Sequence, residues 1–247
     1  MINKLTVLAV FVTASFAFTT YEPTVNTPAE PTSEEPVEVK AEPTAEEKIN
    51  LLYEEFAAVN ADMPSRVSFT YALTGYNKLE TENKIENKLL TIVDFSLPST
   101  EKRMWILNME DQSILYHTYV SHGQNTGGNM ATKFSNTPNS LQSSLGFYVT
   151  AETYYGKNGL SLFIDGMEKE FNSKARERYV VIHGADYAKE ESIKRLGRLG
   201  RSYGCPAVPS EISIDLINTI KGGSALFIYH TNEDYIAKST YLNSKTV

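Results

Sequence analysis

The sequence predicts a mainly β domain with a few short helices packed on it, joined to an N-terminal extension, and three observations point there. Short runs rich in β-branched and aromatic residues recur from residue 89 to residue 230. The 15 Tyr and 11 Phe suit the pleated, half-buried surface of a sheet. Helical periodicity is clear in two stretches, one ahead of the strand-like runs and one just before the last of them. A chain of 247 residues has room for one domain of roughly 200 residues plus appendages.

The chain opens with Lys4 ahead of an apolar run that reaches small residues near Ala17, the pattern of a cleavable secretory signal over residues 1–18. The run is shorter than the ~20 apolar residues that span a bilayer. The expectation is export to the periplasm or cell wall, with no stable membrane insertion after cleavage.

Residues 19–47 interleave Pro23, Pro28, Pro31, Pro36 and Pro43 with Glu, Thr and Val, too little apolar mass to offset chain entropy, and read as a disordered tether. This stretch holds eight Glu and one Lys, so it carries nearly all of the net charge of −7 and leaves the rest of the chain close to neutral. No basic stripe remains to suggest nucleic acid as a partner.

Thr44 and Glu47 have the spacing of a capping box ahead of Ile49, Leu52, Tyr53 and Phe56, which form one apolar helical stripe. Residues 48–88 are therefore expected to be a helical segment packed on the core. The runs LLTIVDF, RMWILNM and SILYHTYV follow, with Glu110-Asp111 as a turn, and read as an antiparallel meander. A loop-rich stretch over residues 121–146 leads into three further strand-like runs, GFYVTAETYYG, LSLFIDG and RYVVIHG. The last elements are a helix over residues 211–220, stopped by Gly222-Gly223, and the strand SALFIYH.

The only cysteine, Cys205, cannot form an internal disulfide. It is an apolar filler, an intermolecular bridge or a reactive thiol. Its surroundings, RSYGCPAVP, are a turn with small neighbours rather than an apolar run, which weakens the first reading. His183 ends the apolar run before it, beside Gly184, where an imidazole at a strand end is well placed as a base.

A cysteine attacks as thiolate, so its ordinary pKa of ~8.5 has to be met by a base or a positive charge. His183 supplies the base. Arg198 and Arg201, between glycines on the approach to Cys205, are the better candidates for charge or for binding a substrate carboxylate, whereas Lys194 and Arg195 read as a solvated helix face. Because Pro206 has no N–H, the oxyanion donors must be the N–H of Cys205 with that of Gly204 or Tyr203. His122 lies in a second His-Gly pair, VSHGQ, and is a candidate to line the same pocket.

These residues resemble the catalytic domain of the L,D-transpeptidases, most closely the branch with the motif IHGA…GRLGRSxGCPAVP, and the likeness extends over about residues 89–230. Residues 89–247 then form the catalytic domain. The resemblance implies a mixed-sheet sandwich or barrel and ping-pong acyl transfer on peptidoglycan stem peptides. Cys205 would form a thioester with a donor tetrapeptide, release D-Ala and pass the acyl group to an amine. His183 would move the proton, with Gly184 as its backbone neighbour and Ser202 supporting the turn. Carbapenems would acylate the same sulfur. Neither cofactor nor metal is expected, and the protein is expected to be a monomer.

The sequence departs from the broader family in having Tyr203 where a His precedes Gly-Cys and Pro206-Ala207-Val208 where an Arg follows. Substrate orientation is therefore assigned to Arg201, Arg198, Tyr203 and His122. The competing readings are an L,D-carboxypeptidase with water as acceptor, a non-catalytic wall-binding module, and a zinc site built from Cys205, His183 and His122.

Overall fold

The structure is a computed structural model that describes Thr19 and residues 42–243. The expected signal segment and nearly all of the expected tether lie outside the described residues. Thr44 caps the first helix, α1 (Ala45–Val59), its hydroxyl accepting the Glu47 N–H at 3.2 Å while the Glu47 carboxylate accepts the Thr44 N–H at 2.7 Å. A second helix, α2 (Arg66–Thr81), starts at Ser65, whose side chain accepts the Ser68 N–H. Phe69, Ala72, Leu73, Tyr76 and Leu79 form its buried stripe, at the spacing that keeps one helical face against a core.

The strands are β1 (Leu89–Asp94), β2 (Met104–Asn108), β3 (Ile114–Thr118), β4 (Gly146–Gly156), β5 (Gly159–Gly166), β6 (Val181–Ala185), β7 (Ala207–Pro209) and β8 (Ala225–Tyr229). They form one mixed sheet in the order β3-β2-β1-β8-β4-β5-β6-β7. The β1–β2–β3 meander is antiparallel, as its short β-rich runs and the Glu110-Asp111 turn predict. Parallel pairing occurs at β1–β8 and β6–β7. Just beyond β3, Ser121 bridges Ala207 of β7, so the two edges of the sheet meet and the sheet curls towards a barrel.

Helix α4 (Ser210–Ile220) and strand β8 close the core, where Phe147 of β4 stacks on Phe227 of β8 at 4.2 Å. The mainly β expectation thus holds, with five helices among the described residues, the remaining two being α3 (Glu190–Leu196) and α5 (Glu233–Lys238). No helix among the described residues is long and apolar enough to cross a membrane. Strand β7 is only three residues long, too short for any alternation to announce it, yet its register fixes the site.

Candidate active site

The parallel pairing of β6 with β7 places His183 opposite Ala207. Cys205 lies in the bend two residues ahead of this pairing. His183 and Cys205 line one cleft of about 500 Å³, with Arg178, Tyr187 and Arg201 among its walls and Lys157 at the β4–β5 hairpin above it. The sequence-predicted nucleophile and base are therefore brought together.

The turn holding Cys205 is built by Ser202 and Gly204. The Ser202 hydroxyl donates to the Cys205 carbonyl at 2.6 Å and accepts the Gly204 N–H at 3.1 Å. Gly204 has φ of +127°, a conformation that L side chains rarely adopt, and a Cβ there would stand 2.8 Å from the Gln142 carbonyl oxygen. Only glycine fits. One sequence expectation is corrected here: the Gly204 N–H is spent on Ser202 and is not an oxyanion donor. Of the expected donors, those of Cys205 and Tyr203 remain.

The thiol of Cys205 donates to the Tyr179 carbonyl at 3.4 Å and accepts the Val181 N–H at 3.5 Å. Tyr179 adopts φ of +51°, which turns the chain sharply just ahead of β6. Burial pushes the thiol up from its ordinary value, while the Val181 N–H and the Arg178 charge pull the other way.

His183 is buried, and its Nδ1 lies 2.9 Å from the Gly184 carbonyl oxygen. A carbonyl can only accept, so Nδ1 carries the proton and Nε2 is left as the basic nitrogen, a tautomer inferred from this partner. Burial lowers the His183 pKa below 6.5, so the imidazole is neutral at neutral pH. Gly184 also allows a close approach, because a Cβ on it would meet the Ser213 hydroxyl of α4 at 2.4 Å. A neutral imidazole sharing a cleft with a neutral thiol suits general-base activation rather than a resting ion pair.

The remaining candidates divide. Tyr203 stands exposed at the lip of the cleft. Arg201 lines it, with Nη1 donating to the Gln124 and Gly127 carbonyls at 3.1 and 3.0 Å and Nη2 left without an intrachain bond among the described residues. Arg198 turns back onto the Leu199 carbonyl at 2.7 Å and is not among the residues lining the cleft.

His122 does not line the cleft either. It is buried, and its Nδ1 lies 2.8 Å from Nη2 of the buried Arg103. Its backbone does contribute, since the His122 carbonyl accepts the Ser202 N–H at 3.0 Å. The zinc set of Cys205, His183 and His122 is thus not assembled. Sequence reading missed Arg178 and Tyr179, which come to the Cys205 cleft only through the fold.

Residues 61–229 match the family described as the L,D-transpeptidase catalytic domain. A comparison with curated proteins finds no match. Among solved structures, an L,D-transpeptidase from Mycobacterium smegmatis aligns with a TM-score of 0.37 at 12% identity, over 58% of this chain and 59% of that one. L,D-transpeptidase 3 from Mycobacterium tuberculosis gives 0.37 at 10% identity over 58% and 61%. The L,D-transpeptidase from Xylanimonas cellulosilytica gives 0.32 at 14% over 74% and 93%. This chain therefore spans less than two thirds of the first two. The family match spans more than half of the chain and includes His183 of β6 and the Cys205 turn, and by it the chain belongs to the L,D-transpeptidase catalytic domain family.

Proposed function

We propose that this protein is a peptidoglycan L,D-transpeptidase with Cys205 as nucleophile and His183 as general base. One observation carries the reading: the thiol and His183 line a single cleft, and the Gly184 carbonyl holds Nδ1 so that Nε2 is the nitrogen able to take a proton.

The Cys205 S–H proton passes to His183 Nε2 as sulfur attacks the carbonyl of the third residue of a donor tetrapeptide. The tetrahedral oxyanion faces the N–H groups of Cys205 and Tyr203. Collapse expels the D-Ala amine, which takes the proton back from His183, and leaves a thioester on sulfur. An acceptor amine then attacks the thioester while His183 removes its proton, and sulfur departs to be reprotonated. The free Nη2 of Arg201 is the donor's carboxylate anchor. The apolar N-terminal run behind Lys4 and the acidic tether support export, which would bring the site to the wall.

The test is incubation of the purified protein with a disaccharide-tetrapeptide and mass spectrometry of the products. D-Ala release with formation of a cross-linked dimer is expected. Release with water as acceptor would make the protein an L,D-carboxypeptidase, and a folded protein that releases no D-Ala would favour a wall-binding role and refute the enzyme reading.

A further inference from the structure

We propose that Arg178 is the fixed positive charge of the nucleophile: a positioning residue that ties the cysteine turn to the loop of residues 135–144 and favours the anionic form of the Cys205 sulfur. The proposal rests on Cys205 being the nucleophile.

Arg178 lies just ahead of β6 and is partly buried in the cleft wall. Its Nη1 donates to the Ser135 carbonyl at 2.7 Å and to the Ser144 hydroxyl at 2.8 Å. Its Nη2 donates to the Gln142 carbonyl at 2.5 Å and to the Ser140 hydroxyl at 3.3 Å. Each terminal nitrogen of a guanidinium has two N–H groups, so all four are taken. Arg178 is therefore unable to offer its terminal fork to a substrate carboxylate, unlike Arg201. Beyond its single Nε–H, what it has left to act with is charge.

That charge is set against the nucleophile's turn. Arg178 Nη2 lies 3.4 Å from where a Cβ on Gly204 would stand, and the Gln142 carbonyl it binds lies 2.8 Å from the same point. Loop, guanidinium and turn are one packed unit. The other titratable groups around the cleft are His183 on β6, Tyr187, Lys157, Arg201 and the tyrosines at the rim. His183 is neutral at neutral pH, and Arg201 is exposed and screened by water, so Arg178 is the partly buried permanent cation among them. Its charge opposes the effect of burial on the thiol.

The test is the rate of Cys205 alkylation by iodoacetamide against pH. It needs no wall substrate, so its failure and the failure of the transpeptidase reading are separable. Arg178→Gln should move the thiolate midpoint to higher pH, the direction for losing a nearby opposite charge. Arg178→Lys keeps the charge but not the four bonds and should move it less than half as far. A loop clamp without electrostatic reach would lower the melting temperature of both variants and leave the midpoint in place, and that result, or equal shifts in the two, overturns the proposal. If the Gln variant does not fold, the side-chain ¹⁵N signal of Arg178 in the unaltered protein decides. It should shift with the alkylation midpoint and lose that step in Cys205→Ser, and a signal flat through the thiol titration overturns the proposal.

Discussion

Two His-Gly pairs occur in this protein, one within β6 rather than at the strand end the sequence suggests and one beyond the end of β3, and they use opposite nitrogens. At His183, Nδ1 meets a backbone carbonyl, which forces the proton onto Nδ1 and leaves Nε2 basic. At His122, Nδ1 meets the Arg103 guanidinium, which can only donate, so Nδ1 is the acceptor and the proton sits on Nε2. Both rings are buried, and burial lowers both pKa values, His122 to about 4, with Arg103 adding to the effect. The dipeptide is the same; the partner of Nδ1 decides whether the ring is a base beside a cleft or a peg in the core. Arg103 itself is brought down to about 9 by burial and stays charged at neutral pH.

The largest effect that would break this contrast is on turnover. His183→Gln should cost 10²- to 10⁴-fold, about what a positioned general base contributes. His122→Gln, whose amide oxygen can still accept from Arg103, should keep its turnover per folded molecule. Steady-state rates on protein verified by circular dichroism compare the two, and equal losses would erase the distinction.

Acid stability sharpens the contrast from the other side. The folded-state pKa of His122 is depressed, so the unfolded chain takes up the proton first. The stabilisation is complete above about pH 6.5 and is lost as pH falls towards about 4, amounting to about 3 kcal/mol. His183 contributes with the same sign. Urea unfolding across this window should show the decline, reduced in His122→Gln. Activity, by contrast, should lose its acid limb only below pH 6.5, because His183 must be neutral to act as base.

The smallest effect belongs to the cleft wall. Arg201→Ala should raise the donor's KM by about tenfold, as expected for one exposed charge-assisted contact. Turnover at saturation should change little. An unchanged KM removes Arg201 from the donor's carboxylate.

Much of this was legible in the sequence because it is local. The capping box follows from helical spacing and the meander from its short β-rich runs and turn residues. Strand β6 was marked by its apolar run, although it continues through His183 to Ala185. His183 as base for Cys205 was read from its place beside Gly184, and the family resemblance agreed.

What was not legible depends on contacts between distant segments. Arg178 bonds to residues 34 to 43 positions away, and nothing near it in sequence marks it as different from Arg176. The role of His122 hinges on Arg103, which lies 19 positions upstream. The Gly204 alternative for the oxyanion donors fell for a local reason: a serine two residues before Gly204 offers its hydroxyl to that N–H, a turn habit the pattern Ser-x-Gly already contains.

If one sulfur, Cys205, activated by His183, carries the chemistry, intact-protein mass spectrometry after exposure to a carbapenem should find a single adduct on the native protein, none on Cys205→Ala, slow formation on His183→Gln and native rates on His122→Gln. An adduct that persists in Cys205→Ala, or that forms at native rate without His183, would overturn these roles.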